Sequence, residues 1–286
     1  MHRVVEVYEG SRYAVGMIGS CQKLLIMLLK PNMFAMVRLF FAGFVGVAAL
    51  AGAAPEQGWA DVCPPPSVAF ETPDEPLDQL AAAIKSGEPV DVLALGSAGT
   101  WTESKDGYIG DMLQTLQAAL PTVNFRVTVF AHHGMTAEEM LSHLKEALAD
   151  RHYPLVLWQT GTVEAVQGIP PDDFASVLQD GATMVTGQGG DLVLIDPQFS
   201  RFLRANSDLD PYVQAIEAAA AMPGVILFHR YALMHSWIHE GLDLERTPPQ
   251  AQKAAVMRLH ACLGMTLGRF LLNGVGVPRA AAVRAD

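Results

Sequence analysis

Short apolar segments alternate with helical patterns along most of this chain, and this alternation restricts the fold more than any other feature. Each apolar segment is rich in β-branched residues and is bounded by turn residues. Continuous apolar runs of this length are typical of strands that are buried on both faces of a sheet. The five segments are VDVLALG (90–96), FRVTVF (125–130), PLVLWQ (154–159), DLVLIDP (191–197) and GVILFH (224–229).

Helical periodicity fills the intervals between these predicted strands, as in IGDMLQTLQAAL and DPYVQAIEAAAAM. Thr136 precedes another such pattern, and Glu139 three residues later predicts a capping box. Strands that alternate with helices form parallel sheets with right-handed crossovers. We therefore predict a five-stranded parallel sheet in a three-layer α/β/α domain that spans residues 85–275.

The first sixty residues differ in character from the rest of the chain. Arg38 precedes twelve apolar residues, LFFAGFVGVAAL, and then the small-residue run AGAAPEQGWA, which together match a secretory signal. Twelve residues are too few to span a bilayer comfortably. We predict that residues 1–60 are removed from a secreted, periplasmic protein, with residues 1–32 a misassigned start upstream of Met33 and Met36. An N-terminal membrane anchor is the alternative.

The net charge of the chain without residues 1–60 limits the kinds of partner that it can bind. The chain keeps 14 basic and 27 acidic residues, a formal charge of −13. A nucleic-acid partner requires a positive surface, so none is expected. No cofactor is predicted either.

Cysteine usage suggests a disulfide. Of the three cysteines, Cys21 belongs to the predicted signal, which leaves Cys63 and Cys262. An even pair in an oxidising compartment predicts a bridge between the proline-rich leader (61–84) and the last helix, ahead of a tail (276–286). The alternative is a buried thiol at Cys262 and a free thiol at Cys63.

The loops after the strands are the place to look for function, because ligands of open parallel sheets bind beyond the carboxyl ends of the strands. Four such loops read LGSAGTWTESKDGY, FAHHGMTAEEM, WQTGTVEAVQG and IDPQFSRF. In order and spacing they resemble the SGNH/GDSL hydrolase family, in particular its secreted bacterial members, from about Val90 to Leu272. The resemblance implies a flavodoxin-like fold and an ester-hydrolysing ancestry.

The first two blocks of that family supply the nucleophile and one oxyanion donor. The family has a serine nucleophile at the end of a Gly-Asp-Ser or Gly-Ser-Ser turn. Matching Gly96 and Thr100 to this block places Ser97 on the middle residue and Ala98 on the nucleophile position. The glycine whose backbone N–H helps to bind the oxyanion corresponds to Gly134.

The last two blocks supply a second donor and the general base. The family's Gly-x-Asn corresponds to Gly161 and Val163, so the amide donor is missing. For the family's Asp-x-x-His, no Asp or Glu stands three residues before any of the nine histidines. Aligning HACLG (260–264) with the helix that follows this block puts the aspartate and histidine positions on Ala251 and Ala254.

These substitutions remove the chemistry of the family. Ester cleavage by this route needs an activated oxygen nucleophile, a base within reach and donors aimed at the oxyanion. We therefore predict a pseudoenzyme without catalytic residues that binds an acylated carbohydrate, a lipid or a protein partner. The competing hypothesis is an active esterase with relocated residues, such as Ser97 with His260 or His132.

Several polar and aromatic residues near these loops have two interpretations. His235 and His239, with Glu240 beside them, have the i, i+4 spacing of some zinc sites, but without a third ligand a solvated helix face is favoured and no metal is predicted.

Asp196 either reaches the pocket or caps the turn before Pro197. Trp101 and Trp158 flank the first and third loops and could form walls of the pocket. For Trp158, the alternative is a position in the hydrophobic core. The candidate pocket residues are Gly96, Ser97, Ala98, Gly134, Gly161, Val163 and Asp196.

Overall fold

The five predicted strands form a parallel sheet in the computed structural model, which describes residues 5–7, 63–64, 68–97 and 107–277. The sheet has one further strand of three residues at its edge, so it has six strands in the order β1-β3-β2-β4-β5-β6. The strands are β1 (Val5–Val7), β2 (Val90–Ser97), β3 (Phe125–His132), β4 (Leu155–Gln159), β5 (Asp191–Ile195) and β6 (Val225–Phe228).

The additional strand, β1, pairs in parallel with β3. It lies inside the segment 1–60 that the sequence predicts to be a removable signal, and that interpretation stays a prediction. The five other strands confirm the expected three-layer architecture, because helices cover both faces of the sheet.

Ten α-helices are described, and two 3₁₀ turns, Leu244–Arg246 and Pro249–Ala251, precede the last of them. The helices are α1 (Val68–Glu71), α2 (Asp78–Ser86), α3 (Gly107–Ala119), α4 (Ala137–Asp150), α5 (Thr162–Gln167), α6 (Pro171–Gly187), α7 (Arg201–Asn206), α8 (Asp210–Ala220), α9 (Arg230–Ile238) and α10 (Gln252–Gly274).

Alternate residues of the central strands enter two separate cores, and this explains the continuous apolar runs. In β4, Leu157 packs with residues of α2, α3, α9 and α10 on one face. Its neighbour Trp158 packs with residues of α4, α6 and α8 on the other face and is fully buried. A Cβ atom added at Gly181 of α6 would lie 2.2 Å from the Trp158 ring, so Trp158 is a core residue.

Helix α10 packs closely along α3. A Cβ atom at Gly264 would lie 2.3 Å from the carbonyl oxygen of Tyr108, and one at Gly268 would lie 2.7 Å from Cβ of Thr115. Among the described helices, only the segment Pro249–Gly274 is long and apolar enough to cross a membrane. Its apolar window is 61% buried inside the protein, as expected for a core helix.

The predicted disulfide between Cys63 and Cys262 is present. The two Cα atoms are 5.5 Å apart, and the bridge joins residues separated by 199 positions. Cys262 is fully buried in α10, so the bridge fixes the leader against the core. Such a bond indicates an oxidising, extracytoplasmic environment.

We expect Cys63→Ser to lower the free energy of unfolding by about 2 to 5 kcal/mol, because it removes a constraint on a very long loop of the unfolded chain. Denaturant unfolding under non-reducing conditions measures the loss. Reduced wild type is the matched control and should unfold like the variant. Two reactive thiols in unfolded, unreduced wild-type protein would contradict the bridge.

Candidate functional site

The carboxyl ends of the parallel strands lie along one edge of the sheet, and the candidate residues follow them there. Gly96 is the penultimate residue of β2, while Gly134, Gly161 and Asp196 follow β3, β4 and β5. This is the arrangement that the sequence predicted. Ala98, at the nucleophile position, lies outside the described residues, as does Trp101.

Ser97 ends β2 beside the end of β3. It is half-buried, and its register partner on β3 is His132. Paired strands lie about 4.8 Å apart, so the two residues are neighbours. The His132 ring contacts the carbonyl oxygen of its neighbour His133, with 3.3 Å between Nδ1 and O. Among the described residues, no carboxylate orients this imidazole.

The loop after β3 is held by local hydrogen bonds. Gly134 adopts a φ of +75°, in the left-handed region that favours glycine. Thr136 then caps α4: its side chain accepts from the N–H of Glu139, while its own N–H donates to Glu139 Oε2 at 2.8 Å. The predicted capping box is therefore confirmed, and it fixes where α4 begins.

The turn after β4 is occupied by a buried carboxylate. Gly161 has a φ of +91° and directly precedes α5, in which Val163 is half-buried. The carboxylate of Glu164 accepts a hydrogen bond from the N–H of Gly161 at 2.8 Å and one from the N–H of Ala137 at 2.6 Å. Burial raises the pKa of Glu164, while these N–H groups oppose the shift. The N–H of Gly161, a backbone donor of this turn, is thus already bonded to the Glu164 side chain.

Asp196 directly follows β5 and is 3% exposed. Its carboxylate accepts a hydrogen bond from the backbone N–H of Tyr231, in the first turn of α9, at 2.7 Å. Burial raises the pKa of Asp196 to about 7, against opposing effects of this N–H and of the Arg230 guanidinium. Asp196 therefore holds the start of α9 against the end of β5.

Two buried polar residues beside this edge were not predicted from the sequence. The Tyr108 hydroxyl on α3 donates to Oε1 of Gln159, the last residue of β4, at 2.8 Å. Burial raises the pKa of Tyr108, and the nearby Arg230 opposes the shift. The sequence feature that could have indicated this pair was Gln159, a glutamine at the end of an otherwise apolar strand.

Arg230 is the other unpredicted residue. It is the first residue of α9, one residue after the end of β6, and is 3% exposed. Its Nη2 donates to Gln198 Oε1 at 3.1 Å, whereas Nε and Nη1 are buried and have no hydrogen-bond partner among the described residues. Burial lowers the pKa of Arg230. The sequence signal was an arginine two positions after the apolar run VILF.

The positions proposed for the missing base lie on the surface. Ala251 ends the second 3₁₀ turn, Ala254 lies in the first turn of α10, and both are exposed. His260, further along α10, lines a cavity that also includes Arg230. This cavity lies beside β6.

The paired histidines of α9 are exposed. The ring centroids of His235 and His239 are 6.0 Å apart, and His235 packs against Phe199. No group of three or more metal-ligating side chains is found in the part of the chain that the structure describes. The arrangement is that of a solvated helix face.

The pKa of Asp196 predicts a pH dependence of stability. Between about pH 4 and pH 7 the folded carboxyl keeps a proton that the unfolded chain releases, so the free energy of unfolding falls as the pH rises. We expect Asp196→Asn to flatten this slope in urea unfolding measured from pH 4 to pH 8. The exposed Asp173→Asn is the control and should keep the slope. An unchanged slope in Asp196→Asn would contradict the assignment.

Comparisons with known proteins agree with this geometry. A model of the non-GDSL lipase-like family matches residues 62–277. No curated protein matches the chain significantly. The acetylxylan esterase Axe2 from Geobacillus stearothermophilus is 15% identical, with 69% of this chain and 97% of that chain covered and a TM-score of 0.51.

A second solved structure is similarly distant. LAE5, an alpha/beta hydrolase enzyme from the metagenome of Lake Arreo, Spain, is 14% identical, with 68% of this chain and 99% of that chain covered and a TM-score of 0.52. At these identities the structures show a common fold alone. Together with the family match, they confirm the predicted resemblance to GDSL/SGNH-type hydrolases.

Proposed function

Because the chain belongs to the non-GDSL lipase-like family, we propose that it is a secreted, periplasmic protein that has lost hydrolysis and acts by binding. Its ligand is an acyl or carbohydrate compound at the carboxyl edge of the sheet. The similarity in fold to an acetylxylan esterase supports an acylated carbohydrate. A protein partner is the alternative occupant of the same edge.

The observation that carries this proposal is the composition of the Gly161 turn. Val163 occupies the position of the family's asparagine, and a valine side chain has no N–H to donate. The backbone N–H of Gly161 already donates to Glu164. A donor bonded to a carboxylate does not stabilise a developing oxyanion, which requires donors aimed at the substrate.

The ionisable groups near this edge also have other partners. Asp196 accepts from the backbone of α9. Asp243, in the loop before α10, forms an ion pair with Arg201, whose guanidinium lowers the pKa of Asp243. A general base must reach the nucleophile and be held by an orienting group. Within the described ranges, neither carboxylate is hydrogen-bonded to a histidine.

One observation favours the alternative of an active esterase. Ser97 and His132 are register partners at the ends of β2 and β3, so a serine and a histidine are adjacent residues in the sheet. In this alternative, Ser97 is the nucleophile and His132 the base. Activation of a serine requires such a base in hydrogen-bond contact.

We expect purified protein without residues 1–60 to show no esterase activity above background on short acyl esters. It should also remain unlabelled by a fluorophosphonate probe, which reacts with activated serines. Ala98→Ser alone should restore neither, because catalytic residues act as a unit and a serine without a base is a weak nucleophile.

Matched variants distinguish the two functions. Turnover that is abolished by Ser97→Ala and by His132→Ala, but retained by the adjacent His133→Ala, would overturn the pseudoenzyme proposal. The combined variant Ala98→Ser, Val163→Asn, Ala251→Asp and Ala254→His tests whether the family positions can be rebuilt. The exposure of Ala251 and Ala254 leads us to expect little turnover from it.

The proposed localisation rests on the signal-like segment together with the disulfide. We expect protein isolated from its native host to lack residues 1–60 and to begin close to Cys63. Cleavage would remove β1 and leave β3 as the edge strand. Intact-mass measurement and N-terminal sequencing decide this, and a membrane-bound protein that retains residues 39–50 would support the anchor instead.

A further inference from the structure

A cavity of about 230 Å³ lies beside the end of β6. It is partly open to solvent and is lined by the segment after β5, by α9, by the loop before α10 and by α10 itself. None of the residues that line it belongs to the strand-end positions of the hydrolase family. It is therefore distinct from the edge at Gly96, Gly134 and Gly161.

Arg230 contributes a buried positive charge to this cavity. Two of the three guanidinium nitrogens, Nε and Nη1, have no hydrogen-bond partner in the part of the chain that the structure describes, and the third donates to Gln198. Among the described residues, no carboxylate forms an ion pair with Arg230. Asp196 attracts it at longer range but accepts its hydrogen bond from Tyr231. A buried charge without a partner is costly, so the site is suited to an anionic ligand.

The other walls of the cavity are largely apolar. Met234 and Ile238 face it from α9, and Leu259 and Leu263 face it from α10. Gln198 and His260 add polar groups. A ligand that fills the cavity would therefore place a single anionic group at Arg230 and an apolar body against these side chains.

Two carboxylates also line the cavity, and both already have partners. Asp243 pairs with Arg201, with 2.9 Å between Oδ2 and Nη2. Glu245 also pairs with Arg201 and accepts hydrogen bonds from the Ser200 hydroxyl and the Phe202 N–H. Arg201 bridges the two carboxylates and offsets one of their two negative charges. Arg230, which has no ion-pair partner among the described residues, is therefore the group that attracts an anion.

We propose that this cavity binds a small monocarboxylate with an apolar body, and that Arg230 binds the carboxylate. The carboxylate supplies the counter-charge and the acceptor oxygens that the guanidinium lacks. The cavity is smaller than the 300 to 1,000 Å³ typical of drug-sized ligands, so the acid is short. This inference goes beyond the proposed function and holds whether or not the strand edge hydrolyses esters.

Calorimetric titration with sodium hexanoate at neutral pH tests the proposal. The probes for comparison are hexan-1-ol and methyl hexanoate, which keep the apolar body but carry no charge. We expect saturable binding of one hexanoate per chain and at least roughly tenfold weaker binding of both neutral compounds, as for the loss of one buried charge contact.

Three variants locate the binding site. Arg230→Met should weaken hexanoate binding at least roughly tenfold, and Ile238→Phe should do so by filling the cavity while leaving the charge in place. The matched control is Arg246→Met, which removes an 83% exposed arginine from the neighbouring loop and should bind as wild type does. Without ligand, Arg230→Met should be at least as stable as wild type, because it removes an unpaired buried charge.

Three outcomes would overturn the proposal. The first is equal binding of hexanoate and hexan-1-ol, and the second is undiminished binding of hexanoate by Arg230→Met. The third is the absence of saturable binding across acetate, butyrate, hexanoate, octanoate and benzoate. The pseudoenzyme proposal instead fails on ester turnover, so the two failures are distinguishable.

Discussion

The arrangement of the strand-end loops depends on the buried carboxylate of Glu164. This side chain connects the start of α4 to the start of α5 through the N–H groups of Ala137 and Gly161. Both groups are helix-terminal donors that would otherwise be unsatisfied, and the positive end of the α4 dipole favours the ionised form. A carboxylate buried to this degree is tolerated because its hydrogen bonds compensate much of the desolvation. Removing it would release two loops at once.

Other buried carboxylates of the fold have the same structural role. Asp196 accepts from the N–H of Tyr231 and so ties the end of β5 to α9. Asp191, at the start of β5, accepts from the N–H of Leu80 at 2.9 Å and so ties α2 to the opposite end of the sheet. In each case the carboxylate replaces the water that a helix terminus would otherwise need. The acids near the family's active-site edge are therefore used to position helices.

The sequence predicted the elements whose formation depends on local pattern. Strands β2 to β6 were recognisable because burial on both faces requires continuous apolar runs, and the Thr136 capping box involves residues only three positions apart. β1 was not predicted, because three residues inside a signal-like segment carry no usable pattern. The disulfide followed from cysteine count and the expected compartment rather than from geometry.

The contacts of the site could not be predicted in the same way. The Tyr108 hydroxyl meets Gln159 across 51 residues, and this pairing depends on how closely α3 packs against the sheet and α10. The bonds of Glu164 require two loops to converge, which the Gly161 block alone does not indicate. The alignment that placed the family's aspartate and histidine on Ala251 and Ala254 depended on one flanking helix. In the structure, the loop before that helix instead contributes Asp243 and Glu245 to the lining of the cavity.

Arg230 differs from the buried acids in one physical respect that determines where binding can be favourable. The acids of this region gain backbone or guanidinium partners on folding, whereas two nitrogens of Arg230 have no hydrogen bond to any residue that the structure describes. A ligand that binds only the folded state stabilises it, and the gain is largest where the folded chain bears an uncompensated cost. A carboxylate at Arg230 would remove such a cost, whereas an anion at Glu164 or Asp196 would meet a buried acid whose oxygens already accept backbone hydrogen bonds. The charge distribution around the sheet edge therefore directs an anionic ligand to the cavity beside β6.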